Sequence, residues 1–256
     1  MAAPYTVFGG RLPALFRNAS QFRDGVQTQS NGGSYVDIRD FPLNQFPRGW
    51  CEVQEDFLAS TLALPNVLRD TSAAGTPTSA QATNAVGGQW TLTQDNTSEA
   101  QRVGIDWGDD LMLNGAQFYF EVRVSIPVAI TTAQFLLLGV STAYNSTVAS
   151  MTRYAWHRLT ASMNVLAELD DDTNSNLAQS PDTGIAFALT AATFYNFWID
   201  ATVPGIIEWG VNDSVLVKKN HVLTGAMQPM MLLGKSTGVT TPAFTIDSYR
   251  ALWARL

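Results

Sequence analysis

The chain has 256 residues, is 46% hydrophobic and only 14% charged, and carries a net charge of -7. Such a length and apolar content suit a single sandwich-type domain with a sizeable core, and the charge is well below the roughly 25% of an ordinary domain. The acidic balance argues against nucleic acid and anionic membrane as partners, because phosphates call for a basic footprint.

The first segment, 1–47, is an irregular arm. Its start, "YTVFGGRLPALFRNASQFRDG", interleaves Arg11, Arg17 and Arg23 with Phe8, Leu12, Leu15, Phe16 and Phe22. Aromatic and Arg side chains are the usual anchors of protein interfaces. Tyr5, Phe8, Arg11, Leu15, Phe16 and Phe22 are therefore the expected partner-binding residues. The start "MAAPYTVFGG" lacks a basic region followed by an apolar run, so it does not read as a signal peptide. No apolar run reaches the roughly eighteen residues of a membrane span. Synthesis in a cytoplasm is the expectation. The one cysteine, Cys51, has no partner for an intrachain disulfide.

From 48 onward the chain reads as one domain of short strands. "WCEVQEDFL" (50–58) is the first, followed by a Ser/Thr/Gly-rich loop at 71–88. Strands then follow at 89–94, 102–108 and 117–126. In "FYFEVRVSI", Phe118, Phe120, Val122, Val124 and Ile126 alternate with Tyr119, Glu121, Arg123 and Ser125. That period of two marks one buried and one polar face. "QFLLLGV" (134–140) is apolar throughout, so both of its faces are expected to be covered. Ala161, Met163, Val165, Ala167 and Leu169 alternate again within "HRLTASMNVLAELD". Further strands follow at 184–189, 194–203, 205–211 and 214–219, with Asn212-Asp213 as a two-residue hairpin turn. "MQPMMLLGKS" and "PAFTIDSYRALW" close the chain. No amphipathic helix of ten or more residues is found. Many short strands separated by turn residues predict an all-β sandwich.

The order of "FYFEVRVSI", "FLLLGVSTA", "ELDDDT", "TGIAFALTAATFYNFWIDAT", "IIEWGVNDSVLVKK", "MQPMMLLGKSTG" and "FTIDSYRALW" resembles the concanavalin A-like (lectin/glucanase) jelly roll. More narrowly, it is similar to jelly-roll proteins of tailed phages. The resemblance covers roughly 50–256, leaves the arm outside, and implies a fold, which hosts many functions.

Chemical signatures are sparse. A glycosidase of this fold needs two carboxylates across a cleft. In "EVQED", Glu52 and Asp56 share a face but lie four residues apart, roughly 13 Å along a strand, and Glu55 points the other way. Glu121 shares its face with Arg123, which suggests a solvated face with a cross-strand partner. Asp170, Asp172 and Asn174 begin like a calcium loop, but Ser175 and Pro181 stand where Gly and Glu are required. "GKST" (234–237) lacks the first glycine of a phosphate loop, which is Pro229. "GVSTA" near Ser141, with Asp200 and His221 downstream, needs a strand-to-helix elbow that an all-β chain does not offer. With two histidines and one cysteine, a His/Cys zinc site is nearly excluded. No cofactor and no metal is expected.

Trp90, Trp107, Trp156, Trp198 and Trp209 are the aromatic candidates for sugar stacking. Beside Phe197 and Glu208, Trp198 and Trp209 are expected to face outward. The leading expectation is a non-enzymatic structural virion protein. It would be a decoration or cement protein on the capsid exterior, binding the major capsid protein through the arm and self-associating as a trimer or dimer. The alternative is a lectin-like module that binds glycans, as a tail or surface receptor-binding component.

Overall fold

The computed structural model describes residues 50–58, 62, 65–82, 88–126, 130–131, 133–160, 164–172 and 187–255. The arm 1–47, with Tyr5, Phe8, Arg11, Leu15, Phe16 and Phe22, lies outside them, as do 83–87 of the Ser/Thr-rich loop and 173–186.

Among the described residues the chain forms β1 (Trp50–Glu55), β2 (Val67–Thr71), β3 (Thr78–Gln81), β4 (Trp90–Thr93), β5 (Gln101–Asp106), β6 (Leu113–Asn114), β7 (Phe118–Ser125) and β8 (Gln134–Ser141). Then come β9 (Arg153–Leu159), β10 (Asn164–Asp171), β11 (Phe187–Ala188), β12 (Phe194–Asp200), β13 (Ile207–Val211), β14 (Ser214–Lys219), β15 (Ala226–Lys235) and β16 (Ala243–Ala254). They make two antiparallel sheets. The front sheet runs β14-β13-β12-β7-β16-β4-β3, with β1 also paired to β16. The back sheet runs β11-β10-β9-β8-β15-β5-β2, with β6 also paired to β15.

The core lies between the sheets. Phe118, Phe120, Val122 and Val124 of β7 face inward, as their alternation requires, and meet Leu136, Leu138 and Val140 of β8 in one cluster. Each such side chain removed from water contributes about 1.5–3 kcal/mol. The inward set on β16 is Phe244 and Ile246, then Tyr249, Ala251 and Trp253. Those two groups are out of step by one residue, and a bulge between Ile246 and Ser248 absorbs the difference. On the back sheet's outer face single glycines leave room for large rings, Gly139 beside Trp156 and Gly234 beside Phe135. There Leu137, Met151, Tyr154, Trp156, Met230 and Leu232 form a second buried cluster, so β8 is indeed covered on both sides.

Three sequence expectations change. The segment around 157–170 belongs to two paired strands, β9 and β10, with Val165 opposite Leu159 and Leu169 opposite Ala155; Ala161 and Met163 of the expected alternation lie outside the described residues. Part of the 71–88 loop is strand β3, paired to β4. Strand β2 precedes it at the edge of the back sheet, where its exposed Val67 and Leu68 hide the usual alternation.

Candidate functional site

The outer face of the front sheet collects polar side chains from four neighbouring strands. Register fixes which ones. Glu121 of β7 lies opposite Arg250 of β16 on one side and opposite Trp198 of β12 on the other. Tyr119 lies opposite Leu252 and Asp200, and Arg123 opposite Asn196 and Ser248. Glu52 of β1 lies opposite Leu252 from the far side of β16. Since Phe118, Phe120 and Val122 point into the core, all of these partners point away from it.

The face is built around Arg250. Its Nε approaches Glu52 Oε1 at 2.6 Å, and its positive charge also acts on Glu121. The Tyr119 hydroxyl donates to Glu121 Oε2 at 3.0 Å. Glu121 is only 3% exposed, so the solvated position expected from its alternation is corrected to a buried one. Burial pushes its carboxyl up from the ordinary 4.5 to about 7, against the pull of the Tyr119 hydrogen bond and the Arg250 charge. Burial first, and then the charges of Glu121 and Asp200, push the Tyr119 phenol well up, so it remains a donor.

Besides Glu52 Oε1 and Arg250 Nε, which face each other as an ion pair, four polar atoms on this face are buried without a hydrogen-bond partner among the described residues: Glu121 Oε1, Arg250 Nη2, Asn196 Oδ1 and Ser248 Oγ. Each unmet group costs about 1–3 kcal/mol. At the rim, Arg123 Nη1 pairs with Asp247 Oδ2 at 2.6 Å, and its guanidinium lies 4.7 Å from the Phe194 ring centre. Asp247 is the extra residue of the β16 bulge, so the irregularity that keeps Tyr249 in the core also supplies this acid.

Trp198 is on this face, as expected, but is wholly buried and packs with Tyr119, Leu252 and Trp50. Its Nε1 donates to the carbonyl of Asn212 at 2.7 Å. Trp209 does not face outward. It lies opposite Ile199 and Val217 in the core between the sheets, which removes it as a sugar platform. Trp90 and Trp107 are also core residues, while Trp156 is buried on the back sheet's outer face with Nε1 on Glu168 at 2.7 Å.

The two-sheet topology matches that of a protein of unknown function from Shewanella oneidensis MR-1, SO2946. The TM-score is 0.57 at 12% identity, over 96% of this chain and 97% of that one. An endo-1,3-β-glucanase from Streptomyces sioyaensis superposes with a TM-score of 0.55 at 12% identity, over 81% of this chain and 98% of its own. The carbohydrate recognition domain of Emp46p, in a potassium-bound form, gives 0.51 at 9% identity, over 79% and 96%. The fold is a concanavalin A-like jelly roll. At these identities the likeness is one of fold. No family model and no curated protein sequence matches the chain.

Within this jelly roll the carboxylates have distinct duties. Glu52 is engaged by Arg250, and Asp200 Oδ1 accepts from the Thr202 backbone N–H at 3.0 Å and hydroxyl at 2.6 Å. Ser141 closes strand β8, and the described residues that follow hold only a three-residue 3-10 turn, Val148–Ser150, rather than a helix starting at the strand end. Among the described residues no group of three or more His, Cys, Asp or Glu is placed to hold a metal ion. No described helix is long and apolar enough to cross a membrane. Sequence alone did not single out Arg250, Asn196 or Ser248. Each is an outward polar residue on an alternating strand, and only the pairing of β7, β12 and β16 brings them together.

Proposed function

We propose that this protein is a non-catalytic binding module and that it holds a glycan on the outer face of its front sheet. The observation that carries this is the set of unmet polar atoms on Glu121, Arg250, Asn196 and Ser248, all on one face of adjacent strands. A sugar hydroxyl both donates and accepts, which is the chemistry that Glu121 Oε1 and Arg250 Nη2 lack. Burying these groups without such a partner costs stability, whereas a polyhydroxylated ligand repays it. Solved jelly rolls of this kind include a carbohydrate recognition domain and a glucanase, which fits the choice of ligand class.

Binding is favoured over hydrolysis by the state of the acids. Glycoside hydrolysis takes two carboxyl groups flanking the scissile bond. Glu121, near pH 7, has the character of a general acid. Its nearest acidic companions are held by Arg250 and by the Thr202 turn. A glycan array with the wild-type chain and Arg250→Met is the test. Selective binding by the wild type, weakened at least about tenfold in the variant, is expected. An array without any bound glycan, or equal binding by both chains, contradicts the reading.

A second reading, capsid decoration, rests on the interleaved aromatic and Arg residues of 1–47. Such a protein binds an assembled shell of major capsid protein and stabilises it by mass action, with the contact repeated across the lattice. Self-association as a dimer or trimer belongs to the same proposal. Mass spectrometry of density-purified particles tests it: hundreds of copies per particle support it, and absence from particles removes it.

A further inference from the structure

At one end of the sandwich the chain leaves the front sheet after β4 and enters the back sheet at β5. Lys235, the last residue of β15, sends its side chain into this corner and is fully buried. Its ammonium Nζ donates to three backbone carbonyls: Asp95 at 2.5 Å, Thr97 at 2.8 Å and Gly238 at 3.2 Å. An ammonium has three donors, so its hydrogen bonding is complete. Among the described residues no carboxylate forms an ion pair with it, which is unusual for a buried lysine.

Other bonds fix the carbonyl cage. Asp95 takes the backbone N–H groups of Thr76 and Thr97 and the Gln101 side-chain amide. Glu99 takes the backbone N–H groups of Ala73, Ala74 and Gly75. Gln94 Nε2 ties the carbonyls of Gln101 and Leu233, and the Gly238 N–H donates to Ser98 Oγ. The Gln101 amide is the main cause that lowers both acids, Asp95 to about 2, so two fixed negative charges stand beside the cage. Backbone carbonyl oxygens are ligands that hard cations take from proteins, and they can replace the hydration shell of a monovalent ion. The two carboxylates are already occupied by N–H donors, so the cage offers neutral oxygens, which suit a single positive charge.

We propose that this corner is a monovalent-cation site that the chain fills with its own lysine ammonium. The proposal is independent of glycan binding on the front sheet. Truncation of Lys235 to alanine keeps Cβ and removes the atoms of one n-propylammonium ion. The vacated cage then takes that ion, or potassium, from solution.

The experiment is thermal unfolding of the full chain and of Lys235→Ala in matched chloride salts of n-propylammonium, potassium and the oversized tetramethylammonium. The variant is expected to unfold several degrees below the wild type in tetramethylammonium. Propylammonium or potassium should restore more than half of that loss, while the wild type stays level in all three salts. A variant with one midpoint in every salt overturns the proposal, and so does an equal rise in the wild type. Should the variant not fold, nitrogen NMR of the wild-type lysine ammonium groups decides. Of the three lysines, Lys218, Lys219 and Lys235, only Lys235 should give a slowly exchanging signal at neutral pH. Rapid exchange at all three overturns it.

Discussion

Glu121 on the outer face of the front sheet and His157, which reaches from β9 of the back sheet to the inner side of the front one, titrate in opposite senses. Glu121 is raised from 4.5 to about 7 by burial. Its folded value lies above the unfolded one, so its contribution is complete below pH 4.5 and is lost as the pH climbs through about 7. His157, buried against the Phe197 ring with Nε2 3.0 Å from the Trp198 carbonyl, is lowered by burial from 6.5 to about 4. Its contribution is complete above pH 6.5 and is lost as the pH falls through about 4. Each shift is worth about 3 kcal/mol at most. Replacing Glu121 with Gln should remove the first slope and leave the second. The stability difference between variant and wild type should then change by about 3 kcal/mol across pH 4.5 to 7, read by denaturant unfolding at several pH values. Parallel curves contradict this. The pattern "FYFEVRVSI" announces that Glu121 faces away from the core, but the burial comes from neighbours on other strands and is not written in the strand itself.

At the scale of elements, the β13–β14 hairpin positions Trp198. Its two-residue turn is Asn212-Asp213, as the sequence predicts, with Asn212 at φ 50°. The Asn212 side chain accepts the Asn196 N–H at 3.0 Å, and its carbonyl accepts Trp198 Nε1. Asn212→Val brings the left-handed backbone penalty, about 1–2 kcal/mol, and loses a hydrogen bond worth about 1 kcal/mol. A drop of that size in unfolding free energy is expected. Gly210 lies opposite Trp198, and an added Cβ would run into its ring and come within 2.5 Å of the Ser214 carbonyl. Gly210→Ala should therefore displace the indole and cost about 1–3 kcal/mol. Near-ultraviolet circular dichroism and denaturant midpoints report both effects, and an unchanged spectrum counts against the packing described. The misplacement of Trp209 belongs to this scale too. Beside Glu208 it was expected to face outward, but Ile207, Trp209 and Val211 alternate into the core with Glu208 on the other face, and the bulge at this point adds its extra residue, Leu216, on β14.

At the scale of the molecule, the jelly roll was legible because its strands alternate cleanly and its turns carry the right residues. The binding face was not. Arg250 and Glu121 lie far apart in sequence, on β16 and β7, and become neighbours only when those strands pair. Asp247 reaches Arg123 only because β16 is bulged. The corner clamp was hidden for a similar reason, since its ligands are backbone carbonyls with no side-chain signature. Deleting 1–47 separates the two functional readings: a glycan module keeps its sugar affinity, whereas a decoration protein loses its particle. The central claim is that the outer face of the front sheet is the binding surface. Backbone amide NMR during titration with the best array glycan tests it most directly. Shifts should gather on 119–123, 196–200 and 248–252, with the back-sheet amides of 135–139 and 154–158 unmoved. Shifts confined to the back sheet, or none with any glycan, would contradict it.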